Sequence, residues 1–441
     1  MIYHFAAEQT DAGLDFDITL DKDKKVYCFI GDNAVGKTNL FENMARTLVY
    51  CHSMFLNFGN GEYSGIYIQK FIHDEIKDFS LRLAVNIILN EKNLKNKKND
   101  KWGFADLEVI QQKRLTRNLP FTIDKPIVFI GAKNRGYTKN IDRNHIKILG
   151  DQYDRFLEAF IRSFNYMNGK AIEETEIADW FNSRLIINPS YIPRNQNKGA
   201  EVVTVFDLMQ RLEPRLNLIS SQDEIKNEAR LDIMFSEGEL YINSIPINKL
   251  STGFVSIIKI FQEIIASYSG WTGLYADKTD LRHVEGIVFI DEIESHLHPK
   301  WQYRIISLLK EFFPKTIFYI ATHSPLIIST TDEGEAYELE KKGNKVTAHQ
   351  LGNPQEWYLA DVFAQAFHVD FINSTSTFSE KEGTSLLSML KDFSNKVKDY
   401  VNNKDDNLQF EAENLYQKIL PSLAKDDPRR RSLDSLRSLL G

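Results

Sequence analysis

The order of apolar and polar positions divides this chain into segments before any residue chemistry is considered. LDFDITL alternates, VYCFI (Val26 to Ile30) is continuously apolar, and the polar DKDKK lies between them. This pattern predicts a hairpin whose second strand is buried on both faces. Asn39 to Val49 has helical spacing. From about 51 to 150 the pattern is mixed: FSLRLAVNIIL has strand character, NEKNLKNKKNDK reads as a charged loop, and KPIVFIGAKNRG as a strand ending in a turn. Helical spacing returns over 151–183 through Tyr153, Phe156, Leu157, Phe160, Ile161 and Phe164, then over Thr204 to Leu216, with a stop near Pro214. LDIMFSEGELYINSIPI predicts paired strands; KLSTGFVSIIKIFQEII (Lys249 to Ile265) predicts an apolar helix. GIVFIDEIESHLHP and TIFYIATHSPLII each hold a buried strand, Ile287 to Ile290 and Thr316 to Ala321. Beyond Tyr337 two helical stretches follow, and the first sets Leu386, Met389, Leu390, Phe393, Val397 and Val401 against Lys391, Lys396 and Lys398. No heptad pattern is sustained, so no long coiled coil is expected.

Composition narrows the class. A chain of 441 residues buries a large core, as one unit with attachments or as several. Its net charge of -7 argues against a uniformly basic nucleic-acid coat but leaves a local basic face, and so DNA as a partner, open. The run from Glu91 to Lys101, with Lys92, Lys95, Lys97, Lys98 and Lys101, is either a solvated tip or a contact to a phosphate backbone. Cys28 and Cys51 give no disulfide framework. The N-terminus lacks a basic stretch followed by an apolar one, and no run of 18 apolar residues occurs. A cytoplasmic protein with no membrane contact is expected.

The chemistry lies at the strand ends. Gly31 to Thr38 fits G-x-x-x-x-G-K-[ST], in which backbone amides cradle phosphates, the lysine reaches the β/γ oxygens and the hydroxyl ligates Mg²⁺. Lys37 and Thr38 are therefore the candidate residues for ATP and Mg²⁺, with Gly31, Asn33, Gly36 and Asn39 around the nucleotide. Asp291 and Glu292 end a buried strand, placed to hold Mg²⁺ through Asp291 and to activate water through Glu292. His323, just past the third strand, can donate to a γ-phosphate or stabilise a turn. Leu-Ser-Thr-Gly before the apolar helix is by itself a helix cap. His296 and His298 stand two apart with Glu294 nearby, a spacing that could suit a metal cluster.

In this order GDNAVGKT, LSTGF, FIDEIESHLHP and IATHSP resemble the ABC-type ATPases of the branch containing SMC, RecF and the OLD proteins. The resemblance covers mainly residues 1–50 and 230–330. It implies an α/β fold: an ABC-type P-loop ATPase head over 1–50 and 230–337, completed by an α+β insertion and helical region over 51–229, with a helical C-terminal extension over 338–441. It further implies that two heads sandwich two ATP molecules, so that Ser251, Thr252 and Gly253 meet the γ-phosphate held by a partner copy, while Glu292, Lys37 and His323 act in hydrolysis. The same resemblance implies that the segment holding His296 and His298 is a loop crossing the interface between two heads, which accounts for it without a metal. Ala34 departs from the glycine frequent in this family, and a residue with Cβ is less free at positive φ. LSTGF departs from the transporter LSGGQ. The glutamine linking metal to lid stays open among Gln111, Gln112, Gln152 and Gln196.

A compact head with a short insertion, a helical tail and no attached nuclease is similar to the ATPase subunits of anti-phage systems, Septu/retron PtuA-like or PARIS AriA-like. That likeness implies an oligomer acting as sensor or regulator of a separately encoded effector nuclease. A RecF-like DNA-binding clamp and a slow-turnover nucleotide-gated scaffold are the alternatives. The Arg429 to Arg431 knot in the tail suits either docking or a charge-balanced terminal helix.

Overall fold

The computed structural model describes residues 2–52, 80–82, 84–90, 92–94, 101–103, 123–133, 135–136, 150, 152–168, 177–185, 199–213, 233–236, 239–242, 244–274, 280–357, 359–368, 386–422, 433–434 and 436–440. In chain order the strands are β1 (His4–Glu8), β2 (Asp15–Thr19), β3 (Val26–Ile30), β4 (Ser80–Arg82), β5 (Val85–Leu89), β6 (Lys92–Leu94), β7 (Lys101–Gly103), β8 (Ile127–Ile130), β9 (Ile233–Ser236), β10 (Glu239–Ile242), β11 (Ile245–Pro246), β12 (Ile287–Ile290), β13 (Ile317–Ala321), β14 (Ala336–Lys342) and β15 (Lys345–Gln350). The helices are α1 (Lys37–Tyr50), α2 (Gln152–Met167), α3 (Ile177–Leu185), α4 (Gly199–Leu212), α5 (Thr252–Leu274), α6 (Pro299–Phe312), α7 (Pro325–Ile328), α8 (Leu359–Phe367), α9 (Leu386–Asn403) and α10 (Asp406–Ile419). By internal contacts they fall into two compact units, 1–362 and 363–441.

Ten strands of the first unit form one sheet in the order β6-β5-β1-β2-β15-β14-β3-β13-β12-β8. From β14 to β8 neighbouring strands run parallel. Strands β3, β8, β12 and β13 are buried at every position, as expected of apolar runs covered on both faces. The other half is mostly antiparallel, and β1 and β2 alternate between buried and wetter positions. Phe29, Phe41, Phe129, Phe289 and Tyr319 interlock in the core with ring centroids 5.0–5.9 Å apart. Helix α1 contributes Leu40, Phe41, Met44, Ala45 and Leu48 to it, and each large side chain buried there stabilises the fold by about 1.5–3 kcal/mol. The backbones of α2 and α5 approach so closely that a Cβ on Gly270 would lie 2.7 Å from the Phe156 Cα.

Two expectations fail here. LDFDITL and VYCFI do not form a hairpin: β2 pairs with β1 and β15, whereas β3 pairs with β13 and β14. Buried on both faces, β3 takes parallel partners, and the β14–β15 hairpin separates it from β2. The chain after Tyr337 is also not helical at once, because β14 and β15 belong to the head's sheet. Alternation across YELEKK and KVTAHQ, joined by Gly343 at φ 63° and Asn344, makes this hairpin. The charged stretch after β5 similarly contains β6, which pairs back on β5.

The second unit has its own small core, in which Phe393 and Val397 of α9 meet Ala412, Tyr416 and Ile419 of α10, with Leu433 and Leu440. Asp405 caps α10 by accepting from the Asn407 amide, and Tyr416 donates to Asp434 at 2.6 Å. Arg429 to Arg431 lie outside the described residues. Among the described residues no helix is long and apolar enough to cross a membrane.

Candidate nucleotide site

The loop between β3 and α1 is shaped by residues that tolerate positive φ. A Cβ on Gly31 (φ 145°) would lie 2.8 Å from the Leu339 carbonyl oxygen, and one on Gly36 (φ 109°) 2.7 Å from Leu14 Cδ1. Ala34 takes φ 65°, a conformation that costs a non-glycine residue about 1–2 kcal/mol. Val35 is buried and anchors the loop. Gly36 brings no side chain to cap α1, whose first turn holds no acidic residue, so the helix presents its amides and the positive end of its dipole to the loop. Lys37 Nζ folds back onto the carbonyls of Gly31 at 2.6 Å and Asp32 at 3.2 Å. Burial holds its pKa below the ordinary lysine value, against the pull of Asp291, Glu294 and Glu292.

The pairing that decides the geometry is Thr38 Oγ1 to Asp291 Oδ2 at 2.7 Å, across 253 residues of sequence. A hydroxyl and a carboxylate side by side are the hard oxygen donors Mg²⁺ takes. Burial raises the Asp291 pKa, opposed by the Thr38 hydrogen bond and by Arg135 and Lys37. Glu292 stands next to it with φ 45°, and its carboxylate accepts from Ser295 Oγ at 3.0 Å. Parallel pairing of β12 with β13, and of β13 with β3, brings Asp291, Glu292, His323 and the phosphate loop to one edge of the sheet. Lys37, Thr38, Asp291 and Glu292 are thus assembled together.

Other expected residues behave differently. Asn33 is exposed in the loop. The Asn39 amide bonds Asp11 and accepts from Thr10 and Asn43, joining α1 to the turn between β1 and β2. His323 presents an exposed side chain, and its amide donates to Glu294 Oε1 at 2.5 Å while Thr322 Oγ1 donates to Glu294 Oε2 at 2.7 Å. Glu294 therefore tethers the end of β13 to the loop after β12. Ser251 and Thr252 are exposed at the N-terminus of α5; Ser251 Oγ accepts from the Phe254 amide, and among the described residues neither side chain bonds the phosphate loop. Gly253 is buried, and a Cβ on it would lie 2.3 Å from the His296 carbonyl oxygen. Gln152 opens α2, whereas Gln111, Gln112 and Gln196 lie outside the described residues. Among the described residues no group of three or more His, Cys, Asp or Glu could hold a metal.

Sequence reasoning missed Arg135, which is 2% exposed. It donates to the Asp291 carbonyl at 2.8 Å, the Glu292 carbonyl at 2.5 Å, the Gly131 carbonyl at 3.2 Å and Ser256 Oγ at 3.1 Å. Burial lowers its pKa to about 10, so the guanidinium stays charged at neutral pH.

A P-loop strand flanked by the strand carrying His323, then by the strand carrying Asp291 and Glu292, with an antiparallel wing on the far side, defines the architecture. The mixed α/β sheet with this strand order is the fold expected from the resemblance to ABC-type ATPase heads. Residues 206–329 match the family described as "AAA domain, putative AbiEii toxin, Type IV TA system", a span running from α4 through α7 that includes Ser251, Asp291, Glu292 and His323. The chain is 31% identical over 147 residues to "Septu protein PtuA" of Bacillus thuringiensis, covering 31% of this chain and 35% of that protein. It is 31% identical over 165 residues to "Retron Ec83 probable ATPase" of Escherichia coli, covering 37% of this chain and 28% of that protein. The chain thus matches about a third of the length of these relatives. Among solved structures, the Smc head bound to the C-terminal winged-helix domain of ScpA aligns over 81% of this chain and 99% of its own, with 12% identity and a TM-score of 0.36.

Proposed function

We propose that this protein binds and hydrolyses ATP as the regulatory subunit of an anti-phage defence complex that controls a separate effector nuclease. The observation that carries the ATPase reading is the 2.7 Å contact between Thr38 and Asp291 beside Lys37. In this reading the amides of the phosphate loop and of the first turn of α1 hold the β- and γ-phosphates, with Lys37 turning from the Gly31 and Asp32 carbonyls to the phosphate oxygens. Thr38 and Asp291 would hold Mg²⁺, which would offset phosphate charge when bound. Glu292 accepts a proton from the attacking water as its oxygen bonds the γ-phosphorus and the bond to the β-bridging oxygen breaks, giving ADP and phosphate.

Exposure of Ser251 and Thr252 supports an ATP-sandwich dimer in which each chain completes the partner's site. Similarity to the Septu and retron proteins supports the defence role, and with it a cytoplasmic setting. The test is a mild pull-down of the native chain from cells carrying its natural gene neighbourhood, with and without ATP. A stoichiometric nuclease is the expected result. Recovery of the chain alone, or only with DNA, overturns the effector-control reading and leaves ATP hydrolysis to be judged by phosphate release.

A further inference from the structure

Arg135 occupies an unusual position for a buried charge. Among the described residues its four hydrogen bonds go to three main-chain carbonyls and one hydroxyl, and none goes to a carboxylate. Two of those carbonyls belong to Asp291 and Glu292, the residues that directly follow β12. Glu292 is held at φ 45°, where a non-glycine residue is strained, and Arg135 grips the carbonyl of that same residue. The fourth acceptor, Ser256 Oγ, sits one turn into α5, the helix that begins at the exposed Ser251 and Thr252. Ser256 in turn donates to the Ser295 carbonyl at 3.1 Å, and Ser295 Oγ holds the Glu292 carboxylate.

We infer that Arg135 is a positioning residue that fixes the acidic pair and the signature helix to each other, so that displacement of α5 by a nucleotide held on a partner copy is felt at Asp291 and Glu292 of the same chain. The inference rests on the ATP-sandwich reading above. A planar guanidinium suits the task because its donors diverge: Nε faces α5 while Nη1 and Nη2 face the end of β12. A lysine at 135 keeps the charge, but its single ammonium cannot span both sides. Ser256→Ala keeps the guanidinium and its carbonyl contacts while removing the link to α5.

The experiment compares wild type, Arg135→Lys and Ser256→Ala for three quantities: ATP affinity by titration calorimetry, steady-state phosphate release, and ATP-driven self-association by analytical ultracentrifugation. Arg135→Lys is expected to bind ATP within about threefold of wild type and to lose about 100-fold in kcat, the size of effect that an ångström of misplacement produces. Its ATP-driven self-association should weaken as well. Ser256→Ala should bind ATP normally, lose about tenfold in kcat and also self-associate less, an intermediate effect suited to losing the Arg135 and Ser295 links of one hydroxyl while the carbonyl contacts of Arg135 remain. Arg135→Lys with wild-type kcat, or with ATP affinity falling in step with kcat, overturns the inference, because a merely structural role moves both together. If Arg135→Lys does not fold, Ser256→Ala decides, and unchanged turnover and self-association in it overturn the inference. If wild type binds ATP and self-associates without releasing phosphate, the hydrolysis reading fails. The inference then stands or falls on whether the two variants lose self-association.

Discussion

The head has two helix N-termini that matter, and they are finished in opposite ways. At α1 the phosphate loop is closed by its own chain: Lys37 bonds two carbonyls, Thr38 bonds Asp291, and Asn39 is engaged by Thr10, Asp11 and Asn43. At α5 the residues of the second motif are split. Gly253 is pressed against the His296 carbonyl, while Ser251 and Thr252 face outward. A site with all its members in one chain is preorganised, whereas exposed donors beside a tightly packed glycine are held rigidly toward something else. The contrast is between residues bonded within the chain at α1 and exposed residues at α5, the arrangement that the proposed ATP-sandwich dimer requires.

The largest expected effect comes at the acidic pair. Glu292→Gln removes the proton acceptor, should lower kcat by about 1,000-fold while ATP still binds, and should accumulate the ATP-bound self-associated form, read by phosphate release and sedimentation. Next, Lys37→Ala opens the closed end, and loss of a charged donor to phosphate should weaken ATP affinity at least about 100-fold, read by calorimetry. Normal ATP binding by this variant would dismantle the closed-end picture. Ser251→Ala touches only the outward end: it should leave ATP affinity intact yet reduce kcat about tenfold with weaker self-association. Equal loss of affinity in Ser251→Ala and Lys37→Ala would erase the distinction between the two ends.

The smallest effect is on pH dependence. Glu42 of α1 has its pKa raised from 4.5 to about 7, first by burial and then by Asp11 and Asp291, despite the ion pair with Arg46. Its folded-state value exceeds its unfolded value, so its contribution to stability is complete below pH 4.5 and is lost as pH rises through about 7. Glu42→Gln should flatten that part of the stability profile. The melting temperature of wild type should fall relative to that of Glu42→Gln as pH rises from 4.5 to about 7, and parallel profiles would show that Glu42 titrates as in the unfolded chain.

The closed end was legible in the sequence because phosphate chemistry demands particular residues at a fixed spacing, next to strands apolar enough to be recognised. Positive φ at Ala34 was foreshadowed by the same loop pattern. Strand partnership was not legible. Alternation in LDFDITL reports one buried face but carries no record of which neighbour lies alongside, and β15 arrives there from more than 300 residues away. The β14–β15 hairpin did carry a signal, the Gly343–Asn344 turn between alternating runs. Arg135 offered none: a lone arginine after a predicted strand has no spacing to mark it, and its partners at 291 and 292 are carbonyls, which every residue possesses.

Strand order also governs how the molecule can be made. In chain order β3 precedes the strands on either side of it by about 290 residues for β13 and about 310 for β14. At typical synthesis rates that interval is roughly 15–60 s, during which β3 and the loop that follows it lack both sheet neighbours. During that interval a nascent chain exposes an apolar strand, and the loop after β3 is framed only once β13 and β14 close around it.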